Sequence, residues 1–100
     1  MGILKPKDII NKTNMSCEDV INIAYSYINN QKEEYEINDE SILYDTECHI
    51  NKKPVWYIDI IALKTKIRFP DAYDTLVISD EEKRVVFVFN DHGVTVKSYT

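Results

Sequence analysis

The residues Asn90, Asp91, His92 and Gly93 carry the most suggestive chemistry in the chain. A carboxylate beside an imidazole could form half of a general acid–base site, provided that a cleft and a second partner complete it. The same four residues also suit a tight turn between strands, because Asn and Asp favour turn starts and Gly accepts a positive φ angle. A turn uses every residue of the string, whereas catalysis uses two. The sequence therefore predicts a hairpin turn here.

A second candidate is the adjacent pair Cys48 and His49. A nucleophilic thiol needs its base close in space, but consecutive residues of a strand point to opposite faces of the sheet. A zinc site built from Cys17, Cys48, His49 and His92 lacks the paired spacings that structural zinc uses. We therefore predict no catalytic residues, no metal site and no cofactor. An enzyme that uses His92 with Cys48 or an acid is the least favoured alternative.

Other polar and aromatic residues indicate a surface that binds another protein. Asp59 interrupts an apolar strand, on the face that it shares with Tyr57. This face is either simply exposed to solvent or part of a partner-binding patch. The acidic runs at residues 33–40 and 80–82 are solvated loops by default. Tyr35 lies within the first run, as an anchor for a Lys- or Arg-rich partner would. The predicted contact residues are Tyr35, Glu36, Asp39, Tyr57 and Asp59.

Length, composition and charge limit the class of protein. A chain of 100 residues makes one domain, and 44% apolar residues are enough for a folded core. The net charge of -5 argues against nucleic acid, which needs a basic face, and suits a basic protein partner. No apolar stretch has the length of a membrane span, and no export signal is evident. We therefore expect a cytoplasmic protein that does not bind a membrane.

An amphipathic helix is predicted over residues 16–32. Ser16 can cap the first turn, and Asp19 three residues later completes a capping box. Apolar residues then recur at spacings of three and four. A leader precedes the helix over residues 1–15. In it, Pro6 is predicted to open a short helical turn over residues 7–11, with Ile9 and Ile10 packed onto the domain.

The period of the apolar residues switches to two after the helix, which predicts an antiparallel sheet over residues 41–99. Strands are expected around residues 42–49, 55–64, 75–79, 84–90 and 94–99, with a loop at 65–74. One main N-terminal helix on a meander of about five strands is an α+β fold in a single domain, residues 1–100.

One predicted strand, residues 84–90, is apolar on both faces, with Val85, Phe87 and Phe89 alternating with Val86 and Val88. A single helix covers only one side of a sheet. The second face is therefore covered by the leader or by the loop at 65–74, or it stays open for a partner. In the last case it could also form a homodimer.

The order of these elements resembles the PepSY-type module. The resemblance lies in the helix pattern around residues 23–28, the strand KPVWYIDI at 53–60 and the hairpin VISDEEKRVV at 77–86. The sequence departs from the family in two respects. The family usually has Gly at or beside the position of Lys83 in that hairpin, and many of its members are secreted or tethered to a membrane, whereas no export signal is evident here. The resemblance implies a regulatory module that inhibits a protease or stabilises a larger assembly.

The size, acidity and layout of the chain also resemble those of small immunity proteins from bacterial toxin–immunity systems. This resemblance implies a protein that binds and neutralises one cognate toxin domain, often a basic nuclease, without catalysis. It rests on architecture, since no motif specifies it. The leading hypothesis from the sequence is such an immunity protein, and the PepSY-like regulatory module is the alternative.

Overall fold

The structure, a computed structural model, describes residues 2–9 and 12–99, which form one six-stranded antiparallel sheet with a long helix on one face. Strands that follow one another in the chain are neighbours in the sheet, so the topology is a meander. The strands are β1 (Ile3–Leu4), β2 (Tyr35–Asp45), β3 (Val55–Ala62), β4 (Asp74–Ser79), β5 (Arg84–Asn90) and β6 (Thr95–Ser98). The α+β prediction is confirmed, although the expected count of about five strands missed β1.

The main helix, α1 (Cys17–Asn29), begins where its capping box predicts. The Ser16 hydroxyl accepts the Asp19 backbone N–H at 3.2 Å, and the Asp19 carboxylate accepts the Ser16 N–H at 2.9 Å. Val20, Ala24 and Ile28 are buried against the sheet, as their spacing indicates. The helix ends at Asn29, three residues before the predicted end. No helix formed by the described residues is long and apolar enough to cross a membrane.

Strand β2 differs most from its prediction. It begins at Tyr35, six residues before the expected start of the sheet at 41, and it ends at Asp45, so the predicted continuation through His49 is wrong. Asn38 pairs with Asp59 of β3 and Leu43 pairs with Tyr57, so residues 39–42 face a single β3 residue. This bulge interrupts the period of two, and it hides the first half of the strand from pattern analysis.

Strands β3 to β6 follow the sequence prediction closely. Trp56, Ile58 and Ile60 lie in the core between the sheet and α1, as predicted from their alternation. The β3 strand ends at Ala62, two residues early, and continues into the one-turn helix α2 (Leu63–Lys66). The observed starts and ends of β4, β5 and β6 lie within one residue of the expected ones.

The N-terminal leader covers the helix side of the sheet. Its strand β1 pairs with the last two residues of β2, and Pro6 opens a 3-10 turn at Pro6–Asp8. Leu4 and Ile9 pack against the helix-side core, which confirms the prediction for Ile9. Ile10 and the end of the predicted turn at residue 11 lie outside the described residues.

The second face of the sheet is covered by the β2–β3 connection, residues 46–54. Cys48 from this connection is fully buried in one cluster with Val55, Val77, Val86, Phe87 and Phe89. The His49 ring lies 6.0 Å from the Phe89 ring. The cover is therefore neither the leader nor the loop at 65–74, and both apolar faces of β5 are buried within one chain. A homodimer through this face remains a prediction.

Candidate protein-binding surface

The string at residues 90–93 forms the turn between β5 and β6. The Asn90 side-chain oxygen accepts the backbone N–H groups of His92 and Val94 at 2.9 and 3.0 Å, and Gly93 adopts a φ of +76°. The His92 side chain is 83% exposed, and its Nε2 lies 3.7 Å from an Asp91 carboxylate oxygen. The turn prediction is confirmed, because the side chains and the glycine serve the backbone of a hairpin.

The pair Cys48 and His49 is divided between the interior and the surface. Cys48 is buried beneath the β2–β3 connection, whereas His49 is exposed. The Cys48 carbonyl and N–H bond to the backbone of Lys52 and Lys53 at 2.8 and 2.9 Å, so the thiol belongs to a closed loop. Among residues 2–9 and 12–99, no three His, Cys, Asp or Glu side chains are arranged to hold a metal ion.

Two of the predicted contact residues, Tyr57 and Asp59, are engaged within the sheet. The Tyr57 hydroxyl donates to the Asp45 carboxylate at 2.7 Å, and burial with this bond raises the pKa of Tyr57. Asp59 accepts the Thr75 hydroxyl at 2.7 Å, and burial raises the pKa of its carboxyl. Both side chains are half-buried and hydrogen-bonded to their neighbours. Most of their hydrogen-bonding capacity therefore stabilises the fold.

The other three predicted contact residues lie on β2 but do not form one patch. Tyr35 packs against the helix-side core, and burial, with smaller contributions from Glu33 and Asp74, raises its pKa. Glu36 points to the opposite face and forms a 2.8 Å ion pair with Lys66. Asp39 is exposed in the bulge. Tyr35 is thus separated by the sheet from Tyr57 and Asp59.

Five exposed carboxylates lie within and just before the first half of β2, interrupted by Tyr35, Ile37 and Asn38. We define the acidic edge as the five exposed carboxylates Glu33, Glu34, Glu36, Asp39 and Glu40. Strand β1 pairs only with Tyr44 and Asp45, so within the described residues this half of β2 has no strand on its outer side. Only Glu36 of the five has an ion pair with another described residue. The acidic edge therefore presents to solvent four carboxylates that have no ion pair within the described residues.

A groove of about 550 Å³ adjoins the acidic edge. It lies between the leader and the bulge of β2, with Lys5 and Lys7 on one side and Glu40 on the other. Asp59 also contributes to its lining, and the Ser41 hydroxyl there accepts the Asp59 backbone N–H at 2.7 Å. The groove extends the charged surface from the strand edge towards the second face of the sheet.

A larger groove, of about 590 Å³, runs between α1 and the β5–β6 hairpin. Most of its polar groups are bonded within the chain. The hydroxyls of Tyr27 and Tyr99 lie 2.9 Å apart, and Arg84 donates to the Tyr99 carbonyl at 3.0 Å. The Gln31 amide bonds to the Tyr27 carbonyl at 3.3 Å and to the Lys97 ammonium at 3.4 Å. These contacts fasten the last strand to the helix.

Glu36 and Asp39 of the acidic edge are predicted contact residues, whereas Glu33, Glu34 and Glu40 are not. The available signal was the density of five acids in eight residues, which is also the composition of a solvated loop. A solvated loop and an acidic strand edge have the same composition, and they differ in whether the segment forms a strand. Comparison of the chain with protein-family models, with curated proteins and with solved structures finds no match in any of the three.

Proposed function

We propose that this chain is a non-enzymatic binding protein that neutralises a basic protein domain, as the small immunity proteins that it resembles do with a toxin. The observation that carries the proposal is the acidic edge, in which four of five exposed carboxylates lack an ion pair among the described residues. The same segment contains two of the predicted contact residues, Glu36 and Asp39.

Electrostatics explains how such an edge would serve binding. The chain has a net charge of -5, and the acidic edge concentrates carboxylates over eight consecutive residues. Charges closer than the Debye length of about 8 Å act together at physiological salt. A field of one sign steers a basic partner and can raise association rates by about 10- to 1,000-fold. The acidic edge would therefore act mainly on the rate of encounter and on the choice of partner.

The same charges also keep the open edge of β2 from pairing with unrelated strands. An exposed edge is a template for aggregation, and charged side chains are one way in which proteins protect it. The bulge at residues 39–42 contributes to this protection by interrupting the ladder. The positive charges of a specific basic partner offset the negative charges that repel other chains. The β2 edge can therefore bind one partner selectively without promoting aggregation.

The proposal is tested with the protein encoded immediately upstream of this chain. The variant E33Q/E34Q/D39N/E40Q removes the four unpaired charges and keeps the shape of each side chain. We expect its association rate with that protein to fall at least about 10-fold at low salt and to lose most of its salt dependence. In a co-expression assay the wild-type chain should protect cells from the upstream protein, and the variant should protect them less.

The matched control is D8N/E18Q/E47Q/D71N, which removes four exposed carboxylates that also have no ion pair among the described residues and that lie outside the acidic edge. Both variants have the same net charge, so a difference between them reports where the charge lies. Equal association rates for the two variants would contradict the role of the acidic edge. Absence of binding and of protection by the wild-type chain would overturn the proposed function. Inhibition of a protease by the wild-type chain would instead favour the PepSY-like alternative.

A further inference from the structure

The outer side of the first half of β2 is a strand edge whose hydrogen-bonding direction is fixed. The Leu63 N–H donates to the Glu34 carbonyl at 3.0 Å, so Glu34 bonds towards β3. Consecutive residues of an antiparallel strand alternate between bonding to the neighbouring strand and pointing away from it. Glu36 therefore also bonds towards β3, and the backbone N–H and C=O groups of Tyr35 and Ile37 point outwards. No strand of the described residues lies on that outer side.

The side chains of this edge differ between the two faces of the sheet. Tyr35 and Ile37 are partly buried against the helix-side core, whereas Glu34 and Glu36 are exposed on the other face. A strand that paired with this edge would place its own side chains alternately on the same two faces. It would therefore meet apolar groups on one face and carboxylates on the other.

The leader and the bulge limit the length of such a strand. Strand β1 already pairs with Tyr44 and Asp45, and Lys5 and Lys7 of the leader line the groove beside the bulge. The part of β2 that is free on its outer side is thus residues 35–38. Four residues of strand span about 13 Å, at about 3.3 Å per residue. The edge therefore fits a short extended segment.

The charges at the pairing positions favour a cationic occupant. The lysines around this edge belong to other segments, namely Lys5, Lys7, Lys32, Lys64 and Lys66. Among the described residues, only Lys66 forms an ion pair with a carboxylate of the acidic edge, and that pair with Glu36 is exposed and therefore weak. The cross-strand neighbours of an added strand on this face would be Glu34 and Glu36. Pairing with the same edge of a second copy would bring like charges side by side, which destabilises a ladder.

We infer that the basic partner binds by strand addition, with an extended segment of alternating basic and apolar residues lying along residues 35–38 and extending the sheet by one strand. This inference rests on the proposed function and adds the mode of binding and the sequence pattern of the partner. The outward backbone groups of Tyr35 and Ile37 would supply affinity. The carboxylates and the apolar side chains would select the segment, as the pockets of other strand-adding domains do.

The variant I37P tests the backbone contact, because it removes an N–H group that points outwards. Proline is tolerated in an edge strand where the N–H faces solvent, so the pairing with β3 should persist. The matched control I37A also loses the isoleucine side chain but keeps the N–H. We expect I37P to bind the protein encoded immediately upstream about 10-fold or more weakly than I37A does. The loss of one hydrogen bond and the clash of the ring with an incoming strand both oppose pairing.

Amide hydrogen exchange of the isotopically labelled wild-type chain tests the same contact without a substitution. In the free chain, the amides of Tyr35 and Ile37 should exchange faster than the amide of Glu36, which bonds to β3. Binding of the upstream protein should slow the exchange of Tyr35 and Ile37 at least about 10-fold, whereas contact through side-chain charges alone would leave it fast. The segment of the upstream protein that becomes protected should alternate basic and apolar residues.

The outcomes separate the inference from the function. If the wild-type chain binds while the amides of Tyr35 and Ile37 stay fast and I37P binds as well as I37A, the inference is overturned and the proposed function stands. If the wild-type chain does not bind the upstream protein, the proposed function fails and the inference falls with it. Slow exchange of these amides in the isolated chain, lost on dilution, would assign the edge to a second copy and also overturn the inference.

Discussion

The indole N–H of Trp56 donates a 2.8 Å hydrogen bond to the carboxylate of Asp80, deep inside the protein. Asp80 is 2% exposed, and it also accepts the backbone N–H groups of Asn14 and Met15 at 3.0 and 3.2 Å. One carboxylate thus joins the segment before α1, the start of β3 and the connection after β4. The expectation that the acidic run at 80–82 is a solvated loop is wrong for Asp80, although Glu81 and Glu82 are exposed.

The variant D80A is expected to destabilise the fold by about 3 kcal/mol or more. It would leave three N–H groups in or near the core without an acceptor, and each unsatisfied buried group costs about 1–3 kcal/mol. Urea denaturation followed by tryptophan fluorescence would measure the change in the free energy of unfolding. The control E81A alters the neighbouring exposed carboxylate, whose ion pair with Lys53 is 4.0 Å long, and should change stability by less than about 0.5 kcal/mol. Equal effects of D80A and E81A would contradict the structural role of Asp80.

Two polar residues of the β5–β6 turn, Asn90 and His92, should differ in their contribution to stability. N90A removes the oxygen that accepts two backbone N–H groups, and should cost about 1 kcal/mol of unfolding free energy. H92A removes an exposed imidazole and should change stability by less than about 0.5 kcal/mol. Thermal denaturation of both variants checks the pair. If H92A lost protective activity in the co-expression assay while its stability was unchanged, His92 would instead have a functional role.

Stability should depend on the charge state of Asp74. Burial, together with the carboxylates of Asp91 and Glu33, raises the pKa of Asp74, and Lys97 only partly opposes this. The folded protein therefore retains the Asp74 proton at pH values where the unfolded chain, with a pKa of 3.8, has lost it. Folding binds protons in this window, so the stability contributed by Asp74 falls as pH rises from about 3.8 through the raised pKa.

The variant D74N removes this charge. We expect it to raise the melting temperature at pH values above the raised pKa, where the half-buried carboxylate is ionised, and to lose that advantage well below pH 3.8, where the wild-type group is protonated in both the folded and the unfolded chain. The control D71N alters an exposed carboxylate of the preceding connection. Melting temperatures between pH 3 and pH 8 would test the sign, and a destabilising effect of D74N at pH 7 would contradict it.

The two thiols should differ in reactivity. Cys48 is fully buried beneath the β2–β3 connection, whereas Cys17 is only partly covered at the start of α1. Burial raises the pKa of the Cys17 thiol, so its reaction with a disulfide reagent should be slower than that of a free thiol but measurable in the folded state. In the variant C17S, Cys48 should react only when the chain unfolds. Rapid labelling of C17S without denaturant would show that residues 46–54 do not cover the second face.

Local chemistry explains which elements were predictable. The start of α1 depends on Ser16 and Asp19, three residues apart, and the β5–β6 turn depends on four consecutive residues. The buried faces of α1 and β3 follow from the spacing of their apolar residues. Each of these features is encoded within one or two turns of helix or a few residues of strand.

The sequence by itself determined the α+β fold, the start of the helix, the hairpin turn and most of the meander. Tertiary structure decided the rest, including strand β1, the cover over the second face and the separation of Tyr35 from Tyr57. It also decided that Asp80 is buried, because its hydrogen-bond partners Trp56 and Asn14 are 24 and 66 residues away. The two residues of β1 are too few to show a pattern, and the bulge at residues 39–42 separates the short alternation of residues 35–38 from the rest of β2. Contacts between distant segments place them, and no local window of the chain contains those contacts.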